Sequence, residues 1–231
     1  MRHAGTRTWA VPVAVTLALA VIASCSGNND SAPTTTSQTA ETSTTPTSGA
    51  APAQDVVTGF LEAHVAFDAE EALTYLTDEA VQAAWGDAES FRLEHALLEA
   101  QGYQEIVTGC EPQGDAGVVD IRCYYDFHGI RSAELGLGPY SDNYWGFIVE
   151  DGKITYAGQA VAYATNGFAS QMWSPFGSWV SANYPDDVPR MYTKLKGSYL
   201  LSEESVRLWE QHTREYVQQM APQSPGTPTS R

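Results

Sequence analysis

Asp120, Arg122, Tyr124, Asp126 and His128 alternate along one stretch of the chain. On a strand, residues two apart share a face, so this row would set an arginine between carboxylates. Such a set can position a water or polarise an oxygen. The intervening residues, Val119, Ile121, Cys123, Tyr125 and Phe127, are apolar. A half-buried sheet turns the apolar row inward and leaves the charged row to solvent. Asp120, Arg122 and Asp126 are therefore weak catalytic candidates, because perturbed proton affinities need burial.

Histidine supplies the other weak candidate. His64 falls on one helical face with Val56, Val57, Phe60, Leu61 and Val65, and Asp68 follows four residues on. A helix brings side chains at that spacing together, so His64 could donate to Asp68. The simpler account is a core or boundary histidine. His95 and Glu99 repeat the spacing. Neither pair has a second His, Cys or Asp cluster at ligand spacing, so no metal or other cofactor is expected. Fingerprints of a nucleophile elbow, a phosphate-binding loop, a zinc protease or a dinucleotide fold do not occur.

These residues need elements to hold them. Asp55 to Met220 opens with helical spacing over 56–65, continues through Ala69–Leu76, a short segment capped at Thr77, and Ser90–Gln101. The period then becomes two. Strands are expected at Tyr103–Cys110 and through Cys123, joined by a turn over Pro112–Gly117, then at Tyr144–Val149 and Ile154–Tyr163. Asp151-Gly152 between the last two signals a hairpin. Helices follow near Phe168–Asn183 and, behind a Ser202 cap, at Glu203–Gln219. Helices first and antiparallel hairpins after make an α+β single domain. Trp145, Phe147, Tyr156, Trp173, Phe176, Trp179 and Trp209 are mostly core, some able to line a cavity. Phe60, His64, Tyr125, Trp145 and Phe147 are the expected lining.

The ends of the chain give its address. Arg2, His3 and Arg7 precede an apolar run from Trp9 to Ala23, too short to span a bilayer as a helix, which reads as a signal peptide over residues 1–24. It ends in Ile22-Ala23-Ser24-Cys25. This resembles the bacterial lipobox, in which the cysteine thiol takes a diacylglycerol with palmitate-type chains and the preceding peptide is removed. Residues 25–54 hold the lipidated Cys25 and a Ser/Thr/Pro-rich linker without Leu, Ile, Val or aromatics before residue 55, expected to be disordered. Residues 221–231 repeat that composition as a tail.

Export fits the remaining cysteines, because an isolated pair in an oxidising compartment is most simply one disulfide. Closing the Cys110–Cys123 loop would add about 3 kcal/mol by chain entropy; two buried thiols are the alternative. The formal net charge of −16, from 12 Lys and Arg against 28 Asp and Glu in 231 residues, excludes a basic surface for nucleic acid. An anionic protein beside an anionic leaflet also stands off the membrane surface.

The opening of the domain, VVTGFLEAHVAFDAEEALTYLTDEAV from Val56 to Val81, resembles the start of nuclear transport factor 2-like (SnoaL-like) domains, and the hairpin YWGFIVEDGKITYAG resembles their central strand pair. The segments from Ser174 to Met191 and from Ser202 to Val217 resemble the tail of a secreted actinobacterial branch. The resemblance covers about residues 55–219 and carries no catalytic signature. It implies a cone of helices wrapped against a curved antiparallel sheet, often with a pocket and often as a homodimer. Its enzymes include ketosteroid isomerase, scytalone dehydratase and limonene-epoxide hydrolase, which work through polar groups aimed into that pocket. The last uses an Arg-x-Asp strand pair, whereas Asp120 and Arg122 stand in the opposite order.

The sequence therefore points to a lipoprotein anchored to the outer face of the cell membrane, with a non-catalytic domain binding a small ligand or an envelope protein. One alternative is an isomerase, dehydratase or hydrolase, which would need two ionisable groups facing inward. The other is a scaffold for cell-wall or secretion machinery using the sheet face.

Overall fold

The computed structural model describes residues 50–113, 119–193 and 198–221. The signal peptide, Cys25, most of the linker and the tail beyond residue 221 lie outside them. Among the described residues no helix is long and apolar enough to cross a membrane.

Four helices come first: α1 (Ala50–Val65), α2 (Ala69–Tyr75), α3 (Asp78–Trp85) and α4 (Ala88–Ala100). Each of the last three starts where a side-chain oxygen takes up an orphan amide: Asp68 accepts from Glu71 N at 3.1 Å, Thr77 from Ala80 N at 3.2 Å, and Asp87 from Ser90 N at 2.7 Å. The α1 helix begins at Ala50, ahead of the boundary at 55 read from composition. Its first residues are alanine and a proline, which the opening turn of a helix tolerates.

Four strands form one antiparallel sheet in sequence order: β1 (Gln104–Gln113), β2 (Val119–His128), β3 (Tyr140–Glu150) and β4 (Lys153–Ala160). The expected Asp151-Gly152 hairpin is present, with φ of +49° and +75° at its two central residues. Pro112 is not in the turn expected there but in β1, opposite Ile121. An edge strand tolerates proline because its outer N–H has no ladder partner to lose. Register shifts between Val107 and Gly109, Tyr125 and Phe127, and Ile148 and Val149 interrupt the ladders, and such bulges bend and twist a sheet.

The C-terminal part is a π-helical turn (Ala169–Trp173), α5 (Ser174–Asn183), α6 (Val188–Met191) and α7 (Glu203–Met220). Pro175 has no N–H to offer the carbonyl of Gln171, which accounts for a widened turn in a segment expected to be one helix. The helices cover one face of the sheet. Ile121, Cys123, Tyr125, Phe127, Trp145 and Phe147 from that face are buried with Phe60, Leu61, Phe91 and Leu97 from α1 and α4. This is the α+β arrangement of helices against a bent antiparallel sheet that the pattern implied. Cys110 and Cys123 form a disulfide between directly opposed residues, Cα atoms 4.0 Å apart.

Candidate functional site

The charged row lies on the outer face of the sheet. Asp120 and Tyr124 are exposed, Arg122 and Asp126 partly so. Arg122 lies 4.5 Å over the Tyr144 ring, and Tyr124 donates to Glu111 Oε1 at 2.8 Å. His128 contacts Ser132 and the Leu137 carbonyl. Asp120 and Arg122 border an open groove of about 230 Å³ with Tyr144 and Tyr156 on this solvent-facing side of the sheet, and Asp126 and His128 are not part of it.

The interior holds a different set. His64 near the end of α1 is 4 % exposed and His95 on α4 is 2 % exposed. The expected pairing with Asp68 fails because α1 stops at Val65 and the chain turns through Phe67 at φ +57°, so the fourth residue on is no longer one helical turn away. Asp68 caps α2 instead. His95 likewise points inward while Glu99 is exposed. The two histidines meet each other: His64 Nδ1 is 3.1 Å from His95 Nε2, and His95 Nδ1 is 3.0 Å from the Phe91 carbonyl oxygen.

Those distances fix the hydrogens. A carbonyl only accepts, so His95 carries its hydrogen on Nδ1, and Nε2 of the neutral ring is an acceptor. His64 then donates from Nδ1, which leaves Nε2 bare. That nitrogen faces Glu105 Oε2 at 3.8 Å, beyond direct hydrogen-bond reach. The Glu105 side chain is 0 % exposed. Oε2 accepts from the Tyr103 hydroxyl at 2.9 Å and Oε1 from the Trp145 indole at 3.0 Å.

Burial dominates the proton affinities. It pushes Glu105 up to about 7, against the lowering effect of the Tyr103 and Trp145 hydrogen bonds. Burial, then the charge of His95, pushes His64 down to about 3. His95 is lowered by burial, and Glu94 is raised by it. The cluster at neutral pH is thus two uncharged imidazoles beside a carboxyl that titrates in the physiological range.

This cluster borders a cavity of about 50 Å³ lined by His64, His95, Trp145, Glu94, Gln101 and Tyr103, among others. A second cavity of about 180 Å³ lies beside it, walled by Tyr163, Phe168, Ala169, Trp173 and Tyr199. The two share Tyr163, Phe168 and Tyr199. Gln101 Nε2, on the lining of the inner cavity, has no hydrogen-bond partner, an uncommon state that a guest molecule or water would relieve, and Tyr125 Oη, behind the lining, also lacks one. Among the described residues no three His, Cys, Asp or Glu side chains are grouped to hold a metal ion.

Of the five expected lining residues, His64 and Trp145 border the cavity. Phe60 and Phe147 stand behind them as core, 5.5 Å apart and edge to face. Tyr125 is 1 % exposed, and burial, then the charge of Glu105, raises its hydroxyl. Glu105, Glu94, Tyr103, Tyr163 and Tyr199 were not among the sequence candidates. The available signal was a glutamate sharing a strand face with Tyr103 and Val107.

No protein-family model matches the chain, and no curated protein matches it. Solved structures similar to it include a nuclear transport factor 2-like protein of unknown function from Cytophaga hutchinsonii, 14% identical, TM-score 0.35, covering 48% of this chain and 90% of that one. A polyketide cyclase, so named provisionally, from Xanthomonas campestris pv. campestris is 15% identical, TM-score 0.35, covering 48% and 90%. A protein of unknown function from Mycobacterium tuberculosis is 12% identical, TM-score 0.39, covering 76% and 92%. These include the superfamily that the sequence resembles. Likeness at this level carries nothing about ligand or reaction, which rest on the site's own geometry.

Proposed function

We propose that the protein is an envelope lipoprotein, held to the outer face of the membrane by lipid on Cys25, whose domain binds a small molecule in the paired interior cavities. The observation that carries the binding reading is Glu105: a carboxyl with a fully buried side chain, hydrogen-bonded by Tyr103 and Trp145, which both line the inner cavity, with no Lys or Arg among the described lining residues of either cavity. Burying such a group is costly, and a core built for stability alone has no need of it. The size of the outer cavity, about 180 Å³, suits a ligand of about seven heavy atoms, since about 150 Å³ accepts a benzene.

The test is a thermal-shift titration of the full chain against neutral, cationic and anionic molecules of that size. A melting temperature that climbs with ligand concentration supports the reading. A flat response from all three groups sinks it. The anchor is tested separately: Cys25→Ser should move the protein from the membrane fraction to the soluble one.

A second reading, catalysis by proton transfer, is favoured by one observation. Glu105 has a proton affinity near neutrality and faces the bare Nε2 of His64, the arrangement of an acid and a base separated by room for a transferable proton.

A further inference from the structure

The outer cavity is built almost wholly from rings. Tyr163 and Phe168 have centroids 5.5 Å apart, Phe168 and Trp173 6.4 Å, Trp173 and Tyr199 5.4 Å. The rings are braced from behind. Trp209 stacks on Trp173 at 5.9 Å and meets Tyr199 edge-on at 5.5 Å, and Tyr192 meets Trp173 at 5.9 Å. Ring faces are the negative lobes of the aromatic quadrupole, and several around one volume attract a cation.

Behind this wall lie carboxyls. Glu94 lines the inner cavity, and its charge acts on the hydroxyls of Tyr163 and Tyr199. Glu105 sits on the far side with Tyr103 and Trp145. Neither cavity has a Lys or Arg among its described lining residues. An anionic ligand would meet the Glu94 carboxyl, with Glu105 behind Tyr103 and Trp145, and no counter-charge among the described lining residues. A neutral apolar one would fit the rings and leave the carboxyls uncompensated. A cation satisfies both layers, and the net charge of −16 draws cations toward the protein. The unpartnered Gln101 Nε2 offers a donor to an oxygen on the same ligand.

Resting on the reading that these cavities bind a ligand at all, we propose that the ligand is a small organic cation. Its trimethylammonium or alkylammonium head sits against Tyr163, Phe168, Trp173 and Tyr199, with its charge toward Glu94.

Binding is then coupled to protons. Glu105 is faced by His64 from α1, with His95 from α4 behind it, Tyr125 from β2, Trp145 from β3 and its neighbour Tyr103; Glu94 is faced by Trp85, Tyr163 and Tyr199. None of these supplies a permanent positive charge. A bound cation favours the ionised carboxyls, so binding releases protons and affinity rises with pH, by up to about tenfold per pH unit for one proton released.

Calorimetric titration of the full chain with choline and with 3,3-dimethylbutan-1-ol, its uncharged isostere, tests this. Choline should bind at least about tenfold more tightly at pH 8, with the gap narrowing toward pH 5.5. Tyr163→Leu, at a residue 45% exposed and so safe for folding, should weaken choline about fivefold and the isostere much less. Sedimentation of the Cys25→Ser protein, which has no lipid anchor of its own, with phosphatidylcholine vesicles separates a lipid headgroup from a free solute as the source of the head. An isostere that binds as well as choline overturns the cation proposal and leaves ligand binding standing. Silence from both, together with a flat thermal-shift panel, overturns both.

Discussion

His64 and His212 are both buried histidines with carboxyl oxygens within 4 Å, and their surroundings part company from there. His212 on α7 has Nε2 2.8 Å from Asp187 Oδ2 and Nδ1 3.5 Å from Glu215 Oε2, with the Tyr184 ring at 4.2 Å. Arg190 completes the set, 2.7 Å from Asp187 Oδ1 and paired also with Glu204. The Asp187 and Glu215 side chains keep 18% and 35% exposure. The carboxylates there have a guanidinium partner in Arg190 and partial access to water, and the cluster ties α6 to α7. Around His64 the carboxyl is dry, and among the described residues no guanidinium or ammonium is paired with it. The contrast shows that the setting of a histidine–carboxyl contact depends less on residue type than on water and counter-charge around it.

The largest way to test that contrast is acid. His64 has a folded-state pKa of about 3 against 6.5 when exposed, so the unfolded chain binds its proton first and stability is lost as pH falls from 6.5 toward 3. The loss is on the order of 5 kcal/mol. Urea melts of the wild type and of His64→Gln across that range should show the variant's slope flattened, whatever its baseline. An unchanged slope would mean that His64 is not desolvated.

Glu105 runs the other way. Its folded-state pKa of about 7 lies above 4.5, so the native state holds a proton that the unfolded chain has already lost. Stability falls as pH rises from 4.5 through 7, by about 3 kcal/mol. Glu105→Gln should remove that fall and melt later than wild type at pH 8. Melting earlier at both pH 5 and pH 8 would place the carboxyl among the structural groups.

Breaking the disulfide with Cys110→Ser and Cys123→Ala should cost about 2–5 kcal/mol in denaturant melts. It should also loosen the edge strand that carries Glu105, which hydrogen exchange on β1 would read out. At the helical end, His212→Gln should cost about 1–3 kcal/mol from the polar groups it leaves behind. The smallest effect belongs to Arg190→Gln, because the guanidinium is itself exposed and water replaces its ion pairs. A larger loss from Arg190 than from His212 would reverse the view of which residue holds that cluster.

Much of the fold was legible because burial is written as period. The alternation through Ile121, Cys123, Tyr125 and Phe127 gave the inner face of β2, the positive-φ hairpin was readable at Asp151-Gly152, and Thr77 and Ser202 announced their helices. The outward lie of Asp120, Arg122 and Asp126 followed from the same alternation. The site was harder to see. His64 and His95 stand on different helices, and only the packing of α1 against α4 makes them neighbours. Glu105 was hidden by the strand itself. Counting alternate residues back from Cys110, which faces inward to its disulfide, puts 108, 106 and 104 inside and Glu105 outside. The unpaired residue Thr108, between Val107 and Gly109, reverses that parity. Tyr199 lies outside helices and strands, where no period exists to read, and β4 ends at Ala160, short of Tyr163, which the expected strand included.

That unpaired residue also guards the edge of the sheet. β1 is an outer strand with Ile106 and Val107 46% and 39% exposed, the kind of open apolar border that recruits a neighbouring chain into intermolecular pairing. The kink at Thr108 and the missing N–H at Pro112 break it into short pieces. Deleting Thr108 would leave each observed pair free to form, from Glu105–Phe127 to Cys110–Cys123, on a straighter strand. The penalty would fall on solubility, with a well-folded molecule that accumulates as aggregates through a border its bulge had kept closed.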